Sequence, residues 1–313
     1  MEPRRVEVRD EPMPARGEGE LLVRATASAI SQGTEMLLYR GEGPERFDPS
    51  LDASARTYPQ RYGYCWVGEV VEGEGLPAGE QVFALASHAT MHVLPVDRVR
   101  PIAKAVPATR AVLGANLETA LTCTWDAEPA LGERAVVLGG GVVGILVAWL
   151  LSRCGARVTL VERSARRRAA AQALIGAQVE LCAALAPEGT SDLVVEATGD
   201  PANLDLAIAC CAPEARIVVA SFYGARRASL DLGDRFHRAR LTLRSSQVST
   251  VPPRMAARGW DHRRRWSLVA SLLEEQALDA LVAPPFPFER AADLYAELDR
   301  DDDLPPAHVF VYR

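Results

Sequence analysis

The chain has 313 residues, 48% hydrophobic and 24% charged, with a formal net charge of −6. That length accommodates two domains with sizeable cores, and the acidic balance excludes a general nucleic-acid or membrane-surface binder. The longest apolar run, 142–151, is far too short to span a bilayer. Six cysteines without a C-x-x-C pair suit reduced thiols. Met1-Glu2-Pro3-Arg4-Arg5 leads into alternating polar residues rather than a signal run, so a cytoplasmic protein is expected. The clusters Arg166-Arg167-Arg168 and Arg263-Arg264-Arg265 lie in Ala- or Leu-bearing helical segments and read as solvated helix faces.

Residues 1–117 read as many short strands broken by glycine turns. Segments 21–25, 67–71 and 81–84 are strand-like, with Pro77-Ala78-Gly79-Glu80 as the turn feeding the last. From residue 118 the character changes. Strands at 135–138, 157–161, 192–196, 215–220 and 241–245 alternate with helical stretches such as 164–175 and 201–212, the latter holding Cys210 and Cys211. That alternation predicts an α/β fold with a doubly wound parallel sheet covered by helices on both faces. After Thr250 come Pro252-Pro253, a helix over 261–275, a solvated stretch at Arg300-Asp301-Asp302-Asp303 and a strand over 308–312.

The most informative stretch is Ala135-Val136-Val137-Leu138 followed by Gly139-Gly140-Gly141-Val142-Val143-Gly144. It reads as a buried strand, then G-x-G-x-x-G, then an apolar helix. Gly139 allows a tight turn, Gly141 lets the backbone approach a pyrophosphate, and Gly144 lets helix and strand pack closely. The amides of Val142 and Val143 then open the helix, where unpaired N–H groups and the macrodipole favour negative charge. A second strand ends on Glu162, 18 residues past Gly144, the last glycine, placed to accept hydrogen bonds from ribose hydroxyls. Strand, glycines, helix, second strand and terminal acid occur in order, which predicts a dinucleotide-binding domain.

Together these parts resemble the medium-chain dehydrogenase/reductase superfamily, the zinc alcohol dehydrogenases and their relatives, over essentially the whole chain. The resemblance implies a chaperonin-10-like (GroES-like) β domain at 1–117 and 251–313, with a Rossmann domain at 118–250 inserted between its parts. The family's G-H-E-x-x-G-x-V pattern falls on Gly63-Tyr64-Cys65-Trp66-Val67-Gly68-Glu69-Val70, and its later turn on Gly79-Glu80-Gln81-Val82. Glycines and strand periodicity match, whereas the metal chemistry does not. Tyr64 stands where the family has a histidine ligand, and Ser31 where a cysteine belongs. The third ligand falls near Asn116, where there is no Cys or His. No cysteine lies between Phe83 and Asn116, so the four-cysteine lobe for structural zinc is missing. A zinc built from His88, His92 or Glu35 is the alternative, with His88 and His92 on one face of a strand-like segment. A zinc-free branch is expected. Within it, Ile30-Ser31-Gln32-Gly33-Thr34-Glu35, Tyr39-Arg40-Gly41-Glu42, Ser246-Gln247-Val248-Ser249 and Asp261-His262-Arg263-Arg264 resemble the bacteriochlorophyllide 3-hydroxyethyl dehydrogenases and related proteins of biosynthetic clusters.

The resemblance implies NAD(P)-linked hydride transfer between an alcohol and a ketone, with a small-molecule substrate in the cleft between domains. A homodimer is open. Reduction of an enone or quinone and a non-catalytic NAD(P)-binding sensor are the rival readings. Without zinc, hydrogen-bond donors must stabilise the charge that develops on the reacting oxygen. Tyr64 is the leading donor by position, and acting as a base near neutrality would require a lowered pKa. Otherwise it fills the space of the missing metal site. Ser31 and Thr34 carry hydroxyls for substrate or nicotinamide ribose, or else make local turn bonds. Glu35 orients Tyr64, relays a proton, or pairs with an arginine. Glu162 favours NAD, while Arg163 and Arg166 are placed to host the extra phosphate of NADP. Ala197-Thr198-Gly199 and Ser221-Phe222-Tyr223-Gly224 end strands on the sheet's carboxyl side, so Thr198 and Ser221 are expected near the cofactor.

Overall fold

The structure, a computed structural model, describes residues 3–43, 58–301 and 303–312. The chain divides into two compact units: Met1–Ala115 with Trp266–Asp302 and Ala307–Arg313, and Asn116–Arg265 with Asp303–Pro306. The first opens with β1 (Glu20–Ile30), α1 (Gln32–Arg40), β2 (Cys65–Gly73), β3 (Gln81–Ala84), β4 (Met91–Pro95), β5 (Val99–Pro101) and the short α2 (Ala108–Ala111). β1 is the hub, antiparallel to β2 along one edge and to β4 along part of the other. Alternate residues Leu21, Val23 and Ala25 point into a core with Trp66, Val70, Val82 and Val99, the period-2 burial of a half-covered sheet.

In the second unit α3 (Gly114–Ala127) leads to β6 (Arg134–Leu138), α4 (Val142–Arg153), β7 (Arg157–Val161), α5 (Ala165–Ile175) and β8 (Val179–Cys182). There follow β9 (Ser191–Glu196), α6 (Asn203–Cys210), β10 (Cys211–Val219), β11 (Thr242–Ser245), α7 (Pro253–Ala256) and the first turn of α8 (His262–Leu272), whose residues from Trp266 on belong to the first unit. The strands lie in the order β11-β10-β9-β6-β7-β8, every pair parallel. Counted from β6, that is the doubly wound order 3-2-1-4-5-6, whose direction reverses between β6 and β9. Val136, Val137, Leu138, Val194 and Val195 are all buried, as strands covered on both faces require.

The first unit, to which the chain returns at Trp266, also holds β12 (Phe286–Pro287), α9 (Ala291–Arg300) and β13 (His308–Val311). β13 is antiparallel to β1 over Ala27–Ile30 and parallel to β12. Among the described residues, no helix is long and apolar enough to cross a membrane.

Four expectations need correction. Residues 251–265 fall in the second unit, because Trp260 packs on Trp125 with centroids 4.9 Å apart, Arg254 pairs with Glu128, and Arg265 is bonded to Glu118. Arg265 is only 2% exposed, so it is no solvated helix face. Asp303 is not merely a solvated loop residue, since its carboxylate accepts from the Ser164 hydroxyl at the start of α5. Cys210 and Cys211 are not both helical: the first ends α6 and the second begins β10.

Candidate functional site

The dinucleotide motif takes the shape its spacing implies. β6 ends at Leu138, the chain turns through Gly139 at φ 97°, and α4 starts at Val142 with Gly141 as its N-cap. A Cβ on Gly139 would meet the Ala197 carbonyl oxygen at 2.7 Å, and one on Gly144 would meet the Gly139 oxygen at 1.9 Å. Both glycines are therefore demanded by the fold. Gly141 is different. Its φ of −67° suits any residue, and a Cβ there would meet nothing within 4 Å. The space in front of Gly141 is open, so the fold itself does not demand a glycine there. The Gly141 end of α4 has no side-chain cap, and helix geometry leaves the first amides, including those of Val142 and Val143, without intrahelical acceptors.

Beside this turn lies Glu162, 7% exposed, at the carboxyl end of β7. Its Oε2 accepts from the Gly140 amide and its Oε1 from the Ser164 amide, both at 2.7 Å. The carboxylate is thus fixed by backbone, and each oxygen retains a lone pair for a further donor. A glycine cradle at a helix N-terminus with an adjacent fixed acid fits a dinucleotide. Gly141→Ala should leave the melting temperature nearly unchanged while weakening NADH binding on the order of tenfold, as intrusion into a filled space costs. Gly144→Ala should instead destabilise the fold by about 1–3 kcal/mol or more. Calorimetry with NADH and thermal melts of both variants check the contrast.

The remaining expected cofactor residues are arranged less simply. Arg163 and Arg166 are exposed beside Glu162, on the segment entering α5 and on its first turn. Thr198 and Ser221 stand at the carboxyl edge, but their hydroxyls are already engaged. Thr198 Oγ1 donates to Glu196 and accepts from the Asp200 amide and the Asn203 side chain. Ser221 Oγ accepts from the Gly199 amide at 2.8 Å. The group that organises this edge is one the sequence reading missed. Glu196, fully buried, accepts from the Thr198 amide and hydroxyl and from the Tyr223 hydroxyl. Burial and that bond raise the Tyr223 pKa, so the phenol stays neutral.

In the first unit, Ser31, Thr34, Glu35 and Tyr64 come together. Ser31 precedes α1 and its carbonyl accepts from the amides of Thr34 and Glu35, which carries Thr34 and Glu35 back over it. The Ser31 and Tyr64 hydroxyls share a hydrogen bond, and Thr34 Oγ1 lies 3.5 Å from the Tyr64 oxygen. Burial, with Cys65 alongside, raises the Tyr64 pKa, partly offset by the Ser31 bond. Desolvation thus favours the neutral phenol and works against the base role, which needs a lowered pKa.

Glu35 neither bonds Tyr64 directly nor pairs with an arginine among the described residues. Its carboxylate, 2% exposed, accepts from the Ser31 amide at 2.7 Å, His88 Nε2 lies 2.9 Å away, and the Tyr295 hydroxyl donates to it. Behind it the chain of contacts continues. His88 Nδ1 is 2.7 Å from Ser28 Oγ, itself 2.6 Å from the Tyr312 hydroxyl. A cavity of about 190 Å³ opens on this side, with Glu35, His88, Tyr58, Tyr62 and Tyr295 in its walls. Tyr295, Tyr312 and Ser28 were invisible to sequence reading, since nothing in local pattern ties residues so far apart to Glu35. His88 and His92 do not share a strand face. His88 lies in the loop before β4, while His92 is in β4, bonded to the Ser87 carbonyl and edge-on to Trp66.

Comparison with known proteins decides the family. The family model described as pyridine nucleotide-disulphide oxidoreductase matches residues 71–184, which include β6, the glycine turn, α4 and β7. The 2-desacetyl-2-hydroxyethyl bacteriochlorophyllide A dehydrogenase of Cereibacter sphaeroides is 31% identical over 237 residues, 68% of each protein. The chain belongs to the medium-chain dehydrogenase/reductase superfamily. Solved structures share its fold. Galactitol-1-phosphate dehydrogenase from Escherichia coli superposes with TM-score 0.79 at 18% identity, covering 99% of this chain and 97% of its own. Acetophenone reductase from Geotrichum candidum, solved with NAD, gives 0.78 at 16%, covering 99% and 94%.

The superfamily's catalytic zinc does not fit the residues at the mapped positions. A zinc site needs three nitrogen, thiolate or carboxylate ligands, and here Ser31 and Tyr64 are neutral hydroxyls bonded to one another, while Asn116 is an amide buried in α3. Glu35 and His88 are committed to each other and to Tyr295 and Ser28. Among the described residues no group of three His, Cys, Asp or Glu side chains is placed to hold a metal ion.

Proposed function

We propose that this oxidoreductase interconverts an alcohol and a ketone by hydride transfer with NAD, without zinc, as a step in a biosynthetic pathway. The observation that carries the reading is the hydroxyl cluster of Tyr64, Ser31 and Thr34 at positions where relatives hold a metal. NAD, when bound, would supply the hydride acceptor or donor. Everything else falls to side chains of this chain. The glycine turn and the first amides of α4 hold the pyrophosphate, and Glu162 holds the adenosine ribose.

At the reacting oxygen, negative charge grows as a ketone is reduced, and a preorganised donor is worth most there. Tyr64 supplies it. Either hydroxyl of the Ser31–Tyr64 bond can be its donor; when Ser31 donates, the Tyr64 proton is left for the substrate, and Thr34 lies at the margin of the same contact. Glu35 fixes the Ser31 amide and thereby the hydroxyl, and His88 and Tyr295 keep that carboxylate in place. Glu35 and His88 are thus positioning residues. Glu162 favours NAD over NADP, because a 2′-phosphate would meet a buried carboxylate. The relative's name specifies a bacteriochlorophyllide substrate for that protein, and the alcohol or ketone proposed here is not specified further.

The test is NADH consumption with ketone, enone and quinone panels after exhaustive chelation, alongside elemental analysis. Turnover of a ketone with no stoichiometric metal is the expected result. One tightly bound zinc per chain, with activity lost to chelators, would sink the zinc-free reading. Turnover of enones or quinones alone would move the chemistry to conjugate or quinone reduction, and binding without any turnover would make the protein a sensor.

A further inference from the structure

A buried ion pair in the second unit has no part in the chemistry above. Arg265 and Glu118 are 2% and 3% exposed, one on α8 and one on α3, with Arg265 Nε 3.1 Å from Glu118 Oε1. As a brace between two helices the pair is a poor choice, since well-packed apolar residues of similar volume hold helices as well or better. What the guanidinium does beyond that is donate through its other nitrogens. Nη1 reaches Thr122 Oγ1 at 3.1 Å and the carbonyl oxygen of Val248 at 2.8 Å, and Nη2 lies 3.2 Å from His262 Nδ1.

Val248 sits in the segment 246–249 that leaves the carboxyl end of β11. Around it, Ser246 Oγ donates to Asp126, and the Ser249 amide and hydroxyl both bond Gln247 Oε1. Gln247 and Ser249 are exposed, while Val248 is held from beneath. This is the ligand-bearing edge of the sheet, on the far side of the β6/β9 reversal from Glu162. A dinucleotide whose adenosine ribose is at β7 and whose pyrophosphate is at α4 runs its other half toward the ends of β9, β10 and β11.

We propose that Arg265, braced by Glu118, is a positioning residue that fixes the 246–249 segment for the nicotinamide half of the cofactor. The inference rests on the dinucleotide reading above. A single buried fork joins two helices to one loop carbonyl, so the loop's shape is set before any cofactor arrives. Lysine cannot substitute, because one ammonium on a flexible stem cannot span Glu118, Thr122 and Val248 at once.

The experiment compares NADH with ADP-ribose, which lacks the nicotinamide, by calorimetric titration of the full chain. Arg265→Lys keeps a cation beside Glu118. The double variant Arg265→Met with Glu118→Leu removes the buried charges together and so avoids leaving one unpaired. Both variants should weaken NADH about tenfold, the scale of a lost charge-assisted hydrogen bond, while ADP-ribose binds as in the unmodified protein. Unchanged NADH affinity in the variants would overturn the proposal, as would a parallel fall in ADP-ribose affinity, which would mark a general loosening of the unit. If the unmodified protein binds neither ligand, the dinucleotide reading itself fails and takes this inference with it.

Discussion

Tyr64→Phe should lower turnover on the order of a hundredfold or more, because loss of one preorganised donor costs about 2.7–4 kcal/mol in the transition state. The substitution removes only the oxygen that Ser31 and Thr34 approach, so thermal stability and NADH affinity should stay close to those of the unmodified protein. The pH profile gives a second readout. Burial favours the neutral phenol and moves its titration above the ordinary value of about 10. Donation is therefore present at low and neutral pH and would be lost only as pH rises through that elevated value. No alkaline limb below about pH 10 should trace to Tyr64. Steady-state kinetics with a responsive ketone checks both statements. Full turnover in Tyr64→Phe with the same profile would make the residue a space-filler.

Glu162→Ala should weaken NADH about tenfold or more, from loss of charge-assisted bonds to the ribose, and should narrow or invert the preference over NADPH. Here a structural cost is also expected. The carboxylate is the acceptor for the Gly140 and Ser164 amides, one in the glycine turn and one at the start of α5. The melting temperature should therefore fall as well, unlike that of Gly141→Ala. Competitive titration with both reduced cofactors separates the effects. Tighter NADPH binding by the unmodified protein would show that Arg163 or Arg166 sets the choice.

What could be read from sequence followed local pattern. The run from Ala135 to Glu162 was legible because apolar strand, glycines, apolar helix and acid each impose their own requirement on neighbouring residues. β8 went unread, since Val179–Cys182 is four residues long and half-exposed, too short to show a period. The histidines were misplaced for a related reason. A four-residue spacing puts two side chains on one face only if the strand is continuous, and β3 ends at Ala84 while β4 begins at Met91. In sequence, Pro252-Pro253 looks like the boundary at which the chain returns to the first unit. The chain instead stays in the second unit until Arg265, held by the Trp125–Trp260 contact and the Glu118–Arg265 pair. Partners brought together by the fold alone, such as Tyr295 to Glu35 and Tyr223 to Glu196, leave no trace in any window of sequence.

The register of β13 against β1, with Ile30 opposite His308 and Ala27 opposite Val311, carries a consequence for how this chain is made. All six strands of the second sheet lie between residues 134 and 245 and can zip together while synthesis continues. The Ala27–Ile30 edge of β1 must wait for residues 308–311, on the order of half a minute at ordinary ribosome speeds. For that interval a nascent chain carries an unsatisfied row of backbone donors and acceptors, the feature that most invites pairing with a neighbour. Expression yield of this protein should be governed by chaperone protection of its earliest strand and not by the dinucleotide unit that follows it.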